Sequence, residues 1–412
     1  MMKILLLSLI FSPDNVSTAQ IWSDIAEDLK AAGHELCVIT TTPHFHRDSS
    51  METRQPLRQW IGRLVQRSEY AEIPVYHVLM PYKGCPPPIR MLSWIGFHIV
   101  STLLGWFLRF RPDVVIAPSP PLTIGLNAWA IALVRRAKFI YNVQEIYPDI
   151  AVNLGIMKNK TLIRFFSCLE RFIYRKAAFV TSITSGMCAK IAARTDREKV
   201  VLVPNFLDLS DVVELPRKNA FSEEHGLGDG FVLTYAGNMG VPQRLDVMVE
   251  LARRIPELTV LFVGGGGDAS RLRELAQGLA NVFFVDYQPI SRMPEIYAAS
   301  DLFYVGQDAK ACADGIPSKI YRILGYGKPL LVMTKDDSDL AAFVCESACG
   351  RLMGTDIEHA ATTVRELMGD KAALGEMGKR GREYVKMFFT RGVVSGKYDS
   401  LCRELSKEKG KK

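Results

Sequence analysis

Residues 3–40 carry the run Lys3-Ile4-Leu5-Leu6-Leu7-Ser8-Leu9-Ile10-Phe11, a middle stretch with Ile21, Trp22, Ile25, Ala26 and Leu29, and a closing run Gly33-His34-Glu35-Leu36-Cys37-Val38-Ile39-Thr40. The opening run is short, continuous and apolar, as suits a strand buried on both faces of a parallel sheet. The middle residues recur at helical spacing and Gly33 ends them, so a helix separates two strands, expected over 4–11 and 36–40. Strand, helix and parallel strand make a βαβ unit and set the fold class as α/β. A secretory leader does not fit the same residues, because no small-residue cleavage site follows the apolar run before Pro13 and Asp14.

Outward from that unit, apolar runs at 114–117, 139–143, 179–181 and 200–203 alternate with helical stretches, which extends it to one doubly wound domain over 1–213. Residues 214–230 turn polar and contain Pro216, Asn219, Gly226, Gly228 and Gly230, the composition of a linker. A second alternating series, with strands at 231–236, 258–263, 282–285, 302–305 and 330–333, predicts another Rossmann-like, doubly wound parallel-sheet domain over 231–385. Residues 386–412 are expected to form a helix that packs back on the first domain and ends in a basic tail. The length of 412 residues, with 48% hydrophobic and 23% charged content, leaves room for two such cores. The net charge of +7 is dispersed, which speaks against nucleic acid as a partner and leaves phosphorylated ligands or an anionic membrane surface. Eight cysteines without a Cys-x-x-Cys pair fit reduced cytoplasmic thiols rather than a zinc site.

Two domains of this kind leave a cleft between their strand carboxyl ends, where ligands of open α/β sheets bind. The segment Asp314-Gly315-Ile316-Pro317-Ser318-Lys319 opens a helix there, so first-turn amides, a positive dipole end and an ammonium converge on one spot suited to phosphate. Gly237-Asn238-Met239-Gly240 follows a strand and could cradle a diphosphate with Arg244 nearby; a glycine-dependent turn explains it as well. Gly264 and Gly265 begin a four-glycine loop, but Ser270 replaces the third glycine of a dinucleotide fingerprint, so no nicotinamide cofactor is expected. Gln288 lies on the next loop. Asp336, Asp337 and Asp339 precede an apolar helix and read as dipole-capping residues, so no metal is expected. In the first domain Gln144-Glu145-Ile146-Tyr147-Pro148-Asp149 places two carboxylates after a strand, for orienting hydroxyls, taking a proton or capping the next helix.

In chain order, the N-terminal strand-loop-helix with Gly33-His34-Glu35, the 144–149 segment, Val203-Pro204-Asn205, Gly237–Gly240, Tyr297-Ala298-Ala299-Ser300-Asp301, Gly327-Lys328-Pro329 and the stretch 378–384 resemble the retaining glycosyltransferases of family 4. The resemblance runs from Lys3 to about Tyr398, and within the family it is similar to the bacterial O-antigen, capsule and exopolysaccharide branch that includes N-acetyl-L-fucosaminyl transferases. It implies two Rossmann-like domains, a nucleotide-sugar donor such as a UDP-sugar on the second, and a glycan or polyprenyl-diphosphate-linked acceptor on the first. It also implies retention of configuration and no metal or other cofactor. Asp314, Lys319, Arg244 and Glu145 would then carry catalysis. Gly237, Asn238, Met239, Gly240, Gly264, Gly265, Gln288, Gly315, Ile316, Pro317, Ser318 and Arg322 would hold the donor, and Ser17, Thr18 and Asp149 the acceptor. The sequence departs from the pattern where the family's two glutamates map to Asp314 and Arg322, and where its diphosphate-binding arginine and lysine map to Asn238 and Gln243. A nucleotide-sugar epimerase of the same fold and a non-catalytic nucleotide-binding paralogue are the alternatives.

Residues 91–108 contain no formal charge, between Arg90 and the pair Arg109 and Arg111. Eighteen such residues meet the length of a membrane span, but Gly96, His98, Ser101 and Thr102 interrupt them and a domain strand follows at Val114. The expectation is an internal helix of the domain that docks partly into the inner membrane interface, with its arginines on lipid phosphates; Trp94, Phe97 and Trp106 are the aromatics that would face lipid in that arrangement.

Overall fold

The computed structural model describes residues 1–45, 49–82, 84–308 and 315–409. The chain divides into two compact units, Met1–Asn205 with Arg391–Lys412, and Phe206–Thr390. Both are α/β, as the alternating apolar runs require.

The first unit is built on β1 (Lys3–Leu7), β2 (Glu35–Thr41), β3 (Arg58–Trp60), β4 (Gly62–Tyr70), β5 (Ile73–Val78), β6 (Val114–Pro118), β7 (Lys138–Val143), β8 (Phe179–Ser182) and β9 (Val200–Leu202). They form one sheet in the order β3-β4-β5-β2-β1-β6-β7-β8-β9. β1 lies parallel between β2 and β6, with Leu5 opposite both Cys37 and Val115. It ends four residues before the apolar run does: the Ser8 amide still donates to Ile39 O at 3.1 Å, but the Ser8 hydroxyl donates to Ile10 O at 2.7 Å and turns the chain. The parallel expectation fails at one edge, where β4 pairs antiparallel with β3 and β5. β4 is half in water, with Val65 and Ser68 its buried residues, so it offers no apolar run to read.

Helices cover both faces of this sheet. Helix Ser17–Ala31 buries Trp22, Ile25, Ala26 and Leu29, the residues its spacing singled out. The closing helix Arg391–Lys409 packs against it, with Arg391 bound to Asp28 at 2.7 Å and to Glu27 at 2.8 Å and the Tyr398 ring 5.4 Å from Trp22. Helices Pro87–Phe107, Ile124–Arg135 and Lys160–Lys176 cover the other face, where Phe97, Ile131 and Ile173 join Leu5, Leu7 and Tyr141 in one core. None of the described helices is long and apolar enough to cross a membrane. Of the three aromatics expected to face lipid, Phe97 is in the core and the Trp106 indole donates to Ala130 O at 3.1 Å. Trp94 alone of them is exposed.

The second unit holds β10 (Phe231–Ala236), β11 (Leu258–Val263), β12 (Val282–Val285), β13 (Leu302–Gly306), β14 (Leu330–Met333) and β15 (Gly350–Leu352) in the parallel order β12-β11-β10-β13-β14-β15. β10 lies between β11 and β13, so the strand order reverses there and the loops leaving β10 and β13 flank a switch point. Residues 214–230 belong to this unit, because their side chains are satisfied inside it. Arg217 binds Asp301 at 3.0 Å, Asn219 caps helix Ala220–Glu224 and donates to Glu295 O at 3.0 Å, and Phe221 is fully buried. The seven cysteines among the described residues form no disulfide.

Candidate functional site

Strand β10 runs into Gly237, and the loops beyond it interlock through glycines. A Cβ at Gly264 would stand 2.2 Å from Gly237 O, and one at Gly266 would stand 2.2 Å from Met239 O. These glycines are required by backbone contact between loops, which keeps the loop after β10 pressed on the loop after β11. That contact also consumes donors. Gly237 N donates to Val263 O at 2.9 Å, Met239 N to Gly265 O at 2.7 Å, and Gly240 N to the Gln243 side chain at 3.0 Å. The amide cradle expected over 237–240 is therefore already engaged at three of its four positions. Met239 is a core residue rather than a ligand contact, and Asn238 is the exposed member of the loop.

The short helix Lys319–Gly325 starts after β13 and sends Lys319 back across the switch point. The Lys319 ammonium sits 3.7 Å from the centroid of the Tyr235 ring, and a Cβ at Gly237 would be 3.9 Å from it. Among the described residues it makes no hydrogen bond or ion pair. Burial without a counter-charge pushes its pKa down to about 7, because the charged form loses hydration that nothing replaces. Tyr235 is held in place by its hydroxyl, which donates to Asn238 O at 2.6 Å. Sequence reading missed Tyr235, since a tyrosine near the end of a buried strand reads as core. It also missed Gln307, whose amide donates to Gly315 O at 3.1 Å and ties the approach to helix Lys319–Gly325 to the end of β13. Gly315 needs its φ of 102°, whereas Ile316, Pro317 and Ser318 follow with Ser318 exposed at the N-cap. Asp314 lies outside the described residues.

Arg244 adopts a left-handed conformation with φ 48°, and its side chain rests 3.4 Å from Asp246 at the start of the next helix. That contact is long and half-exposed, so Arg244 remains able to turn toward an anion. Arg322 stands one turn beyond Lys319, where its charge acts on the buried Tyr297. Gln288 donates to Asp286 O at 3.2 Å, and Tyr287 beside it donates to Gly265 O at 2.8 Å. Ser338 rather than an aspartate caps the helix that starts at Asp339. No group of three or more His, Cys, Asp or Glu side chains among the described residues is arranged to hold a metal ion.

In the first unit the two carboxylates after β7 part company. Arg194 pairs with Asp149 and donates to both oxygens of Glu170 at 2.8 and 2.9 Å, and Glu170 also accepts from Tyr174 at 2.9 Å. Asp149 is thus one corner of a structural network. Glu145 has no hydrogen-bond partner among the described residues, and nearby protein withdraws enough water to raise its carboxyl pKa. Gln144 is fixed beside it, donating to Asn142 Oδ1 at 2.7 Å and accepting from Asn205 at 3.3 Å. Ser17 and Thr18 open helix Ser17–Ala31 at the carboxyl edge of β1, with Ser17 exposed.

Comparison with known proteins agrees with this division. A glycosyl transferase 4-like domain family matches residues 18–205, and the glycosyl transferases group 1 family matches residues 230–370. WcaI of Escherichia coli (strain K12), whose name places it among colanic acid biosynthesis glycosyl transferases, is 25% identical over 85% of this chain and 87% of its own. Sucrose-phosphate synthase from Thermosynechococcus elongatus shares the fold with a TM-score of 0.72 at 15% identity, covering 99% of this chain and 100% of that one. HepE of Anabaena, solved in complex with UDP, gives a TM-score of 0.72 at 13% identity, covering 98% of this chain and 100% of that one.

Proposed function

We infer the reaction from the premise that the chain belongs to the glycosyltransferases that join a glycosyl transferase 4-like domain to a group 1 domain. The proposed reaction is retaining transfer of a sugar from a nucleotide-sugar donor, a UDP-sugar, to a glycan or polyprenyl-diphosphate-linked acceptor in bacterial surface polysaccharide synthesis. The anomeric carbon–oxygen bond to the diphosphate breaks, the acceptor hydroxyl bonds to the same face, and its proton passes to a leaving phosphate oxygen. The protein's task is to position both partners and to neutralise the leaving group.

One observation carries this reading: Lys319, an ammonium with no counter-charge among the described residues, stands over Tyr235 at the β10–β13 switch point, beside the glycine-locked loops after β10 and β11. Such a group gains most from a ligand whose negative charge grows in the transition state. Arg244 is the second cation proposed for the diphosphate, in place of the family residues that Asn238 and Gln243 replace. Glu145, the carboxyl after β7 with no partner among the described residues, is proposed to meet the acceptor hydroxyl. No divalent metal is proposed, and activity should survive chelation.

The test is a screen of UDP-, GDP- and ADP-sugars, UDP-N-acetyl-L-fucosamine among them, scored by thermal shift and then by transfer. A ligand at 100 times its dissociation constant stabilises by about 2.7 kcal/mol, well within reach of the method. Stabilisation by one nucleotide class together with acceptor-dependent turnover supports the proposal. Turnover of donor without acceptor would point to an epimerase, and binding without any turnover to a non-catalytic paralogue.

A further inference from the structure

A chain of buried polar side chains in the first unit takes no part in the reaction as proposed. It starts at Ser12, in the loop that leaves β1 and leads to Ser17 and Thr18. The Ser12 hydroxyl donates to Gln55 Oε1 at 2.6 Å, and the Gln55 amide donates to Ser12 O at 3.2 Å and to Ser68 Oγ of β4 at 2.8 Å. Ser68 Oγ lies 2.7 Å from His77 Nε2 of β5, and His77 Nδ1 lies 3.1 Å from Thr41 O at the end of β2. Ser12, Gln55, Ser68 and His77 are all buried.

Only one direction of donation satisfies this chain. Ser12 O cannot donate, so the NH2 end of Gln55 must face it, and the same end supplies Ser68. Ser68 then has its own proton left for His77 Nε2, which must be a bare acceptor. The His77 proton is therefore on Nδ1, where Thr41 O accepts it, and the ring is neutral. Burial favours the same state, pushing the imidazole down to about 4 although the Thr41 carbonyl pulls the other way. A complete chain of this kind adds little stability over apolar packing, but it fixes geometry, because moving any member leaves a buried group without its bond.

What it fixes is the loop. Among the described residues, other side chains tie residues 9–16 to the βαβ unit itself: Thr41 Oγ1 donates to Leu9 O at 2.7 Å, Ser12 N donates to Ser23 Oγ at 3.3 Å, and Asp14 accepts from His44 N and Phe45 N at 3.0 and 2.9 Å. Gln55 differs in origin. It stands between helix Ser49–Arg54 and β3, at the root of the antiparallel edge hairpin that departs from the doubly wound pattern. Asp14 N donates to Phe11 O at 3.1 Å and Val16 N to Asp14 O at 3.2 Å, so a shift at Ser12 is carried through a folded turn to Ser17.

We propose that Gln55 is a positioning residue for the acceptor: from the edge hairpin it holds the loop after β1, and through that loop Ser17 and Thr18, in place. The proposal rests on the acceptor reading of those two residues. Gln55→Met keeps the side chain's length and removes its hydrogen bonds. It should raise the acceptor KM at least fivefold, with kcat and the Kd for UDP, followed by calorimetry, within twofold of native. Ser68→Ala takes away the anchor of Gln55 with a smaller change of packing, and should shift the acceptor KM in the same direction by less; it carries the test if Gln55→Met does not fold. Gln59→Met, an exposed residue of the same hairpin, should change neither constant.

Two readouts need no turnover. Nitrogen NMR should find His77 protonated on Nδ1 and still neutral well below the 6.5 of an ordinary imidazole. Amide exchange at Ser12, Asp14 and Val16 should speed at least tenfold in Gln55→Met relative to amides of the second unit. A His77 ring protonated on Nε2, or unchanged loop exchange, would overturn the chain. Faster loop exchange with an unchanged acceptor KM, or a parallel loss of UDP affinity, would overturn the positioning role. A native chain that binds UDP and transfers nothing would sink the transferase reading and the acceptor role of Gln55 with it, while exchange and NMR still decide whether Gln55 holds the loop.

Discussion

Asp149 and Lys319 both follow strands at the carboxyl edge of a parallel sheet, and the two are used in opposite ways. Asp149 is tied to Arg194, which also holds the buried Glu170, so its charge is spent inside the first unit. Lys319 is nearly as enclosed, yet among the described residues it has only the face of Tyr235 for company. A buried charge that is fully paired supports the fold, whereas one left without a partner marks a place where a ligand completes the set. Position at a strand end does not separate the two cases; the partner list does.

The largest expected effect comes from breaking the paired side. Arg194→Ala leaves Glu170 buried without its cation, and loss of one partner of a buried pair costs about 3–5 kcal/mol. Chemical denaturation should show that loss, and it should shrink toward acid pH. Burial already pushes the Glu170 carboxyl up, with Arg194 pulling it partly back, so without Arg194 the group protonates more readily and the uncompensated charge disappears. An Arg194→Ala protein as stable as the native chain would mean that the network is ornamental and that Asp149 is available for substrate after all.

Lys319→Ala should do the converse, sparing the fold and removing transfer. Loss of one preorganised contact to a developing charge costs about 2–4 kcal/mol, or about one and a half to three decades in kcat/KM. Because the native chain keeps an uncompensated ammonium there, the variant should melt at the same temperature or higher. Native turnover in Lys319→Ala would remove the catalytic assignment.

Both charges could be picked out in the sequence, but their fates could not. Lys319 was legible because a glycine-proline loop opening a helix places a basic residue at a strand's carboxyl end. Tyr235 was not, since nothing local says that its ring faces an ammonium 84 positions later. Asp149 reads the same as a helix cap, an acceptor ligand or an ion-pair partner until the fold brings up Arg194. The same contrast runs through the sheets. The buried parallel strands announced themselves as apolar runs, whereas β3 and β4 lie at a wet edge and β15 is three residues long with one face covered. Glycine loops were legible as loops, but only the close approach of Gly264 to Gly237 O and of Gly266 to Met239 O shows that they hold each other.

A pH series sharpens the contrast further. Lys319 has a folded pKa of about 7, below the 10.5 of an ordinary lysine, so between pH 7 and 10.5 the unfolded chain binds a proton that the folded one does not. Stability of the ligand-free protein from this group is lowest below pH 7 and rises with pH up to about 10. A diphosphate reverses the preference, because it favours the ammonium. Nucleotide binding should therefore take up a proton above pH 7, and affinity should fall there by less than tenfold per pH unit. Calorimetry in two buffers of different ionisation enthalpy measures the uptake directly. Lys319→Met should bind weakly at every pH and take up no proton, and an unchanged uptake in that variant would place the titrating group elsewhere.

Arg322 is expected to matter least, and the reason is its place on the helix. It lies three residues past Lys319, about 4.5 Å farther from the carboxyl edge of the sheet, and its charge acts on Tyr297 in the core of that unit. A guanidinium there can donate to an oxygen but cannot accept from ribose hydroxyls, the task of the glutamate it replaces in the family pattern. Arg322→Glu restores an acceptor. If the nucleotide lies as in that pattern, the carboxylate gains hydrogen bonds worth about 1.5–3 kcal/mol each, less its own desolvation, and UDP affinity holds or rises. If Arg322 instead reaches the diphosphate, reversing its charge should weaken UDP by tenfold or more, about 1.4 kcal/mol. The placement one turn below Lys319 favours the first outcome. A tenfold loss would move Arg322 to the ligand-completing side of the comparison, with Lys319, and would add a third cation to the two, Lys319 and Arg244, proposed for the anion.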